Sequence, residues 1–298
     1  MSFSSNVKAE ICKTTPLQKS FAVAEAYGIL LYANTFTHKE IKIMTKSRPF
    51  GVRLIAIFEK AFDIQFDVLP KGGEAGMRSY EIHDREKLKK IFSDFGYDDA
   101  EILSHNINLG VLEGEDKVQA FIRGAFLSGG SVTTPWKMYH LELSTGHLKV
   151  NLSMYAMLLD LGFSPKYIMR KGNYVIYFKQ CSAIEDFLTT LGAPLSAMEM
   201  MNAAAEKAMR NSVQRKVNCD TANVDKVINA AQKQLDAIRK IEENSGLDSL
   251  EEKLRETAWL RVRHPEATMT ELGFKFKTPV SKSCVCHRLK KLIDISEL

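Results

Sequence analysis

The sequence predicts an α+β fold, in which a duplicated αββαββα domain with pseudo-two-fold symmetry is followed by an all-helical C-terminal part. Three observations predict it. AYGILLYANT at 26–35 can be laid over IRGAFLSGGS at 122–131, which matches Gly28 to Gly124 and Leu31 to Leu127 at an offset of 96. The same offset matches Gly96 to Gly192, and the two stretches between these anchors carry the same alternation of helix and strand patterns. After Gly192 the strand signal stops, and Ala, Met, Gln and charged residues take over to the C-terminus.

In the first half the patterns give a Gly-bearing helix over 20–33, a strand over 41–45 and a helix over 48–62. Strands over 64–69 and 78–83 and a helix over 84–95 follow. In the second half the corresponding elements are a helix over 118–128, a strand over 139–144, a helix over 147–161, strands over 165–170 and 173–179, and a helix over 182–191. The leading strand of each half is weakly written, because TFTHKE and SVTTPWK are short and polar. Gly72, Gly73 and Gly76 read as a flexible turn between strands; no G-K-[ST] follows them, so a phosphate loop is not indicated.

In the helical part, Ser196 with Glu199 reads as a capping box that opens a helix to about Arg215. NCDTAN at 218–223 reads as a break in which Asp220 or Thr221 caps the next helix. That helix carries Val224, Val227, Ile228, Ala231, Leu235, Ile238 and Ile241 on one stripe and ends at Asn244, Ser245 and Gly246. Two further boxes, Ser249 with Glu252 and Thr268 with Glu271, predict helices over 250–263 and 269–276. Thr278 and Pro279 break the chain before a last helix from Ser281 to 294. The expected domains are therefore 1–195 (halves 15–97 and 115–195), a helical linker 196–246, and a helix-turn-helix over 247–298.

Composition narrows the function. The 298 residues are 45% hydrophobic and 26% charged with a net charge of +5, a globular composition with room for a local basic surface. The opening MSFSSNVKAEICK has no apolar core, and no run of about 18 apolar residues occurs, so neither a signal peptide nor a membrane span is expected and the protein is placed in the cytoplasm. Five scattered cysteines without a C-x-x-C pair indicate ordinary thiols, with no metal site and no cofactor expected. H-x-E at His140 and Glu142 lacks the P-C-x-x-C partner of a zinc deaminase. His38, His83, His105 and His147 read as isolated structural histidines, and Trp136 and Tyr139 as sheet packing.

The strongest functional signal is charge placement. Residues 275–291 hold Lys275, Lys277, Lys282, Arg288, Lys290 and Lys291, together with His287, and no Asp or Glu. Val285, Leu289, Leu292 and Ile293 turn one face of the last helix inward, leaving Lys282, Ser283, Cys286, His287, Lys290 and Lys291 outward. Such a helix fits a DNA major groove, with Ser281, Lys282, Ser283 and His287 nearest the base edges and Lys275, Lys277, Arg288, Lys290 and Lys291 toward phosphates. Thr268, Thr270 and Thr278 complete the candidate interface. A solvated basic face, or one that docks on an acidic protein, is the plainer alternative.

A Gly inside a helix costs about 1 kcal/mol relative to Ala and needs a packing reason. Gly28 and Gly124 supply one if the two helices cross face to face on the pseudo-two-fold axis. YGILLYAN and RGAFLSGG resemble degenerate copies of the LAGLIDADG helices of homing endonucleases, over about residues 15–195. RGAFLSGGSV at 123–132, NCDTAN at 218–223 and PVSKSCVCHRLKKL at 279–292 are similar, more specifically, to the bacterial WhiA regulators over nearly the whole chain.

The endonuclease resemblance implies Mg-dependent cleavage by an acid at the end of each Gly-bearing helix. Those positions are Ala33 and Gly129, which cannot ligate a metal, and Glu25 has Phe121 as its repeat partner, so no catalytic residue is expected. The WhiA resemblance implies a non-catalytic, nucleoid-associated regulator of transcription, cell division and chromosome segregation, with sporulation roles in spore formers. The basic cluster in a helix-turn-helix makes double-stranded DNA the expected partner, and the pseudo-symmetric repeated domain is expected to add a second surface for DNA or another regulatory protein. A partner-binding scaffold and an active nuclease remain as the alternative classes.

Overall fold

The computed structural model describes residues 2–14, 18–70, 76–97 and 105–297. The chain divides into two compact units, 1–208 and 209–298.

The first unit opens with α1 (Phe3–Ile11), whose Phe3, Val7 and Ile11 are buried at helical spacing behind a Ser2 cap. The sequence pattern predicts no element there. Then come α2 (Lys19–Leu31), β1 (Thr35–Phe36), β2 (Ile41–Thr45), α3 (Arg48–Phe62), β3 (Arg78–Ile82) and α4 (Arg85–Asp94). The second half repeats the order from α2 with one strand more, as α5 (Glu115–Gly129), β4 (Gly130–Val132), β5 (Leu141–Thr145), α6 (Leu148–Asp160), β6 (Lys166–Arg170), β7 (Asn173–Phe178) and α7 (Cys181–Thr190).

α2 and α5 cross as the glycines require. A Cβ on Gly28 would lie 2.0 Å from the Phe121 carbonyl oxygen, and one on Gly124 would lie 2.0 Å from that of Glu25. Phe121 is Glu25 plus the repeat offset, so the contact maps onto itself, and backbone meets backbone where any side chain would collide. An antiparallel sheet belongs to each half: β1-β2-β3, with Ile43 opposite Tyr80, and β4-β5-β7-β6, with Leu143 opposite Ile176. Period-two alternation buries Leu141 and Leu143 and leaves Glu142 and Ser144 toward the other face.

The strand expected over 64–69 is not formed; only Val68 bridges Glu81. The backbone N–H groups of both Asp67 and Val68 donate to the one Glu81 carbonyl, a two-against-one arrangement that stops a ladder as a bulge does. Gly72 and Gly73 lie outside the described residues. Gly76 holds φ +138, a conformation that favours glycine.

α8 (Pro194–Asn244) is one 51-residue helix, so NCDTAN is not a break and Asp220 and Thr221 are not caps. The segment contains no Gly or Pro, and its polar residues cost only tenths of a kcal/mol each in a helix. Gln214 donates to Asn218 Oδ1 at 2.8 Å along the same helix. The Ser196–Glu199 box is replaced as well: Glu10 of α1 accepts from the Leu195 and Ser196 N–H groups at 2.7 and 2.9 Å.

In the second unit, Ile238 and Ile241 near the end of α8 pack on Leu254, Leu272, Val285, Leu289 and Leu292. Gly246 (φ +76) ends α8. α9 (Glu252–Arg263) starts without a side-chain cap, because the Ser249 hydroxyl donates to the Gly246 carbonyl within a 3₁₀ turn instead. α10 (Met269–Phe274) has the expected Thr268–Glu271 box, and α11 (Lys282–Ser296) is capped by Ser281. Among the described residues, no helix is long and apolar enough to cross a membrane.

Candidate nucleic-acid interface

α10, a tight turn and α11 build the site. The turn closes when the Val280 N–H donates to the Gly273 carbonyl at 3.0 Å. A Cβ on Gly273 would meet the Val280 carbonyl oxygen at 2.5 Å, so that residue permits the close approach. Beneath α11, Val285, Leu289 and Leu292 are fully buried and Ile293 half-buried, the inward face the periodicity predicted.

The candidate residues are open to solvent to different degrees. Thr268, Thr270, Lys275, Lys277, Thr278, Ser281, Lys282, Ser283, His287, Lys290 and Lys291 are all exposed, and Arg288 is half-buried. They are not equivalent. Thr268 and Ser281 use their hydroxyl oxygens as helix caps, accepting from the Glu271 and Cys284 N–H groups at 3.3 Å. The Arg288 guanidinium lies 5.2 Å from the centre of the Phe276 ring, which fixes its direction. Lys291 Nζ stands 3.8 Å from Glu251 Oε2 and is partly neutralised there.

Sequence reasoning missed Arg261, only 1% exposed, whose Nη1 donates to the Ala267 carbonyl at 2.6 Å and ties α9 to the loop before α10. Burial pulls its pKa down against the opposing pull of Glu266. Its signal in the sequence is faint: an Arg four positions before Pro265 looks like any exposed residue at a helix end.

The pseudo-two-fold axis of the first unit has its own chemistry. Glu25, fully buried, accepts two bonds from Arg53, Nε to Oε1 at 2.6 Å and Nη2 to Oε2 at 2.7 Å. Arg123 Nη1 approaches Oε2 at 3.9 Å. Arg123 Nε also donates to the Leu191 carbonyl, and Arg53 Nη1 to that of Thr14. The carboxylate is thus committed to guanidinium groups. At the helix ends, Ala33 is half-buried, and a Cβ on Gly129 would stand 2.5 Å from the Ser144 carbonyl oxygen and 2.7 Å from the Tyr32 ring. Position 129 leaves no room for a side chain.

The histidines are less isolated than expected. His105 and His147 stack at 3.9 Å, His83 meets Glu81 at 3.0 Å, and His38 lies on the Phe92 ring. His140 bonds Glu142 at 3.1 Å, and Arg170 grips the same carboxylate. Trp136 is 52% exposed, so it is not packed against a sheet. Among the described residues, no group of three or more His, Cys, Asp or Glu could hold a metal ion.

Comparison with known proteins agrees with this architecture. The family model for the WhiA LAGLIDADG-like domain matches residues 118–210, and that for the WhiA C-terminal HTH domain matches residues 213–296. A probable cell division protein WhiA from Clostridium acetobutylicum is 34% identical over 310 aligned positions, spanning 100% of this chain and 98% of the relative. The chain belongs to the WhiA family. Its WhiA relative in Clostridium perfringens SM101, also named a probable cell division protein, is 36% identical over 309 positions with the same coverage. The crystal structure of full-length WhiA from Thermatoga maritima superposes with a TM-score of 0.61 at 24% identity, over 100% of this chain and 98% of that one. That likeness shows the fold: a LAGLIDADG-like unit followed by a helical HTH region.

Proposed function

We propose that this WhiA chain is a non-catalytic, sequence-specific DNA-binding regulator acting in transcription, cell division and chromosome segregation, and in sporulation where the host forms spores. The observation that carries the reading is the surface of α11 and the turn before it. Lys275, Lys277, Lys282 and Lys290 stand exposed with no acidic residue between 275 and 291, and Ser281, Ser283 and His287 lie at or near the helix start. Lysines on such a surface neutralise phosphates and set affinity, whereas the short polar side chains at the helix start discriminate base edges. Double-stranded DNA is the partner, and the cytoplasmic nucleoid the place of action.

The absence of catalysis is inferred from positions 33 and 129. Ala33 offers no oxygen ligand, and the crowding around Gly129 excludes a carboxylate that could share a metal with it. Glu25 is held by Arg53 and cannot substitute. The repeated unit then serves as a second surface, for DNA or for a regulatory protein, the latter favoured by the exposed Trp136 and Met138.

The test is a gel shift of the full chain on fragmented host DNA with Mg²⁺ present and the products run on a denaturing gel. The reading expects a subset of fragments to shift and remain intact, with loss of the shift in Lys282→Ala/Lys290→Ala. A shift unchanged in that variant moves the interface elsewhere, and Mg-dependent nicking by the pure protein restores the nuclease.

A further inference from the structure

The two halves of the repeated unit differ at one sheet edge. In the first half the chain at 64–69 closes that edge. Asp67 and Val68 both donate to the Glu81 carbonyl, and Asp67 Oδ2 accepts from the His83 and Asp84 N–H groups at 2.7 and 2.9 Å. In the second half the sheet runs β4-β5-β7-β6 and ends on β6, whose five residues, Lys166–Arg170, are all exposed. A strand with an apolar centre and an open edge is a template for a further strand.

The turn fixes which groups that edge presents. Lys171 and Gly172 hold φ of +52 and +81, as the two central residues of a type I′ hairpin do. The residues flanking such a turn, Arg170 and Asn173, form a hydrogen-bonded pair, and by alternation so do Ile168 with Val175 and Lys166 with Tyr177. The N–H and C=O groups of Tyr167 and Met169 therefore point away from β7, and they meet no backbone partner among the described residues.

Side chains narrow the occupant. Tyr167 and Met169, each 62% exposed, stand on the face of β6 toward α6, where the Tyr167 ring meets that of Tyr155. Lys166, Ile168 and Arg170 stand on the other face. Arg170 is bonded to Glu142, whereas Lys166 and the turn residue Lys171 have no ion pair among the described residues. A second copy of the chain is disfavoured here. The antiparallel register that pairs all five residues sets Lys166 against Arg170 of the second copy at both ends, and like charges directly opposite destabilise a sheet. The same two cations attract carboxylates placed opposite them.

On the reading of the repeated unit as a surface for a regulatory protein, we propose that the edge of β6 takes up an extended acidic segment of that protein as an antiparallel fifth strand. Backbone bonds to Tyr167 and Met169 hold the segment, and apolar side chains opposite those residues cover them. Acidic side chains opposite Lys166 and Arg170 give the selection.

The experiment follows the fluorescence anisotropy of a labelled peptide, Glu-Val-Thr-Val-Glu flanked by serines, titrated with the full chain at low salt. Three further peptides are compared: one N-methylated at both Val, one with Lys for both Glu, and one with Lys for the last Glu, which stands opposite Lys166. Saturable one-to-one binding of the acidic peptide is expected, lost on N-methylation and weakened about tenfold or more by full charge reversal. Met169→Pro removes an outward donor while leaving the β6–β7 ladder its bonds, and should weaken binding about tenfold. Lys166→Glu should bind the singly reversed peptide more tightly than wild type does, a gain that misfolding cannot produce.

No binding of the acidic peptide, or equal binding of the N-methylated or the fully reversed one, overturns the proposal. A dimer that sediments as such in wild type and is lost in Met169→Pro overturns it in favour of a second copy. A DNA shift weakened by Lys166→Glu, where the peptide does not bind, overturns it in favour of nucleic acid. The DNA shift of wild type is read on the same samples. Peptide binding without it refutes only the DNA-binding reading, and a shift without peptide binding refutes only the strand site.

Discussion

At the scale of the residue, charges inside the first unit are fixed by particular partners, and removing one partner exposes the cost of the others. Glu25→Ala leaves the guanidinium groups of Arg53 and Arg123 without their carboxylate, and about 3–5 kcal/mol of unfolding free energy should be lost in a urea titration. Lys8 gives a pH signature. Burial pushes its ammonium down to about 8 from 10.5, partly opposed by Cys12, while Nζ donates to the Leu127 carbonyl at 3.0 Å. Between those two values the unfolded chain binds more protons than the folded one, so stability should rise with pH from about 8 to 10.5. Lys8→Met should flatten that rise when denaturation midpoints at pH 7.5 and 10.5 are compared. In the second unit, Thr268→Ala should cost about 1 kcal/mol through its cap, and Thr268→Asn should restore stability. A loss of DNA affinity that Asn also restores would assign this residue to helix positioning instead of base contact.

At the scale of the element, the crossing of α2 and α5 depends on two positions without a Cβ. Gly28→Ala and Gly124→Ala each drive a methyl to 2.0 Å from a carbonyl oxygen of the facing helix, and each should destabilise by about 3 kcal/mol or more. Gly146→Ala, with open space around it, should change stability by less than about 0.5 kcal/mol in the same assay. This crossing was legible in the sequence because a helical Gly that recurs in both copies of a repeat calls for close backbone contact, and a symmetry axis is where two copies can supply it to each other. The strand at 64–69 and the break at 218–223 were misread for related reasons. Local propensity shows neither that Asp67 and Val68 compete for one carbonyl nor that a helix already more than six turns long carries unfavourable Asn, Asp and Thr through its middle. The cap on α8 was invisible, since Glu10 lies 185 residues from Leu195.

At the scale of the whole molecule, DNA binding should follow the salt law for phosphate contacts. Each of Lys282→Ala and Lys290→Ala should lower the slope of log K against log salt by about 0.9, measured by fluorescence anisotropy; Lys291→Ala, beside Glu251, should lower it less. The outward face of α11 was legible because alternation of buried and charged positions on a short helix follows directly from period and charge. The axis chemistry was not: Glu25, Arg53 and Arg123 are separated by 28 and 70 residues, and only the fold makes them neighbours. The same long separation bears on synthesis. α2, nine of whose thirteen residues are buried, is complete at Leu31, but the helix that covers it ends at Gly129. At 5–20 residues per second, on the order of ten seconds of translation leave that apolar helix without its partner. The nascent chain should therefore be held by chaperones over this interval, and a truncated chain ending before α5 should be degraded faster by added protease than the full chain.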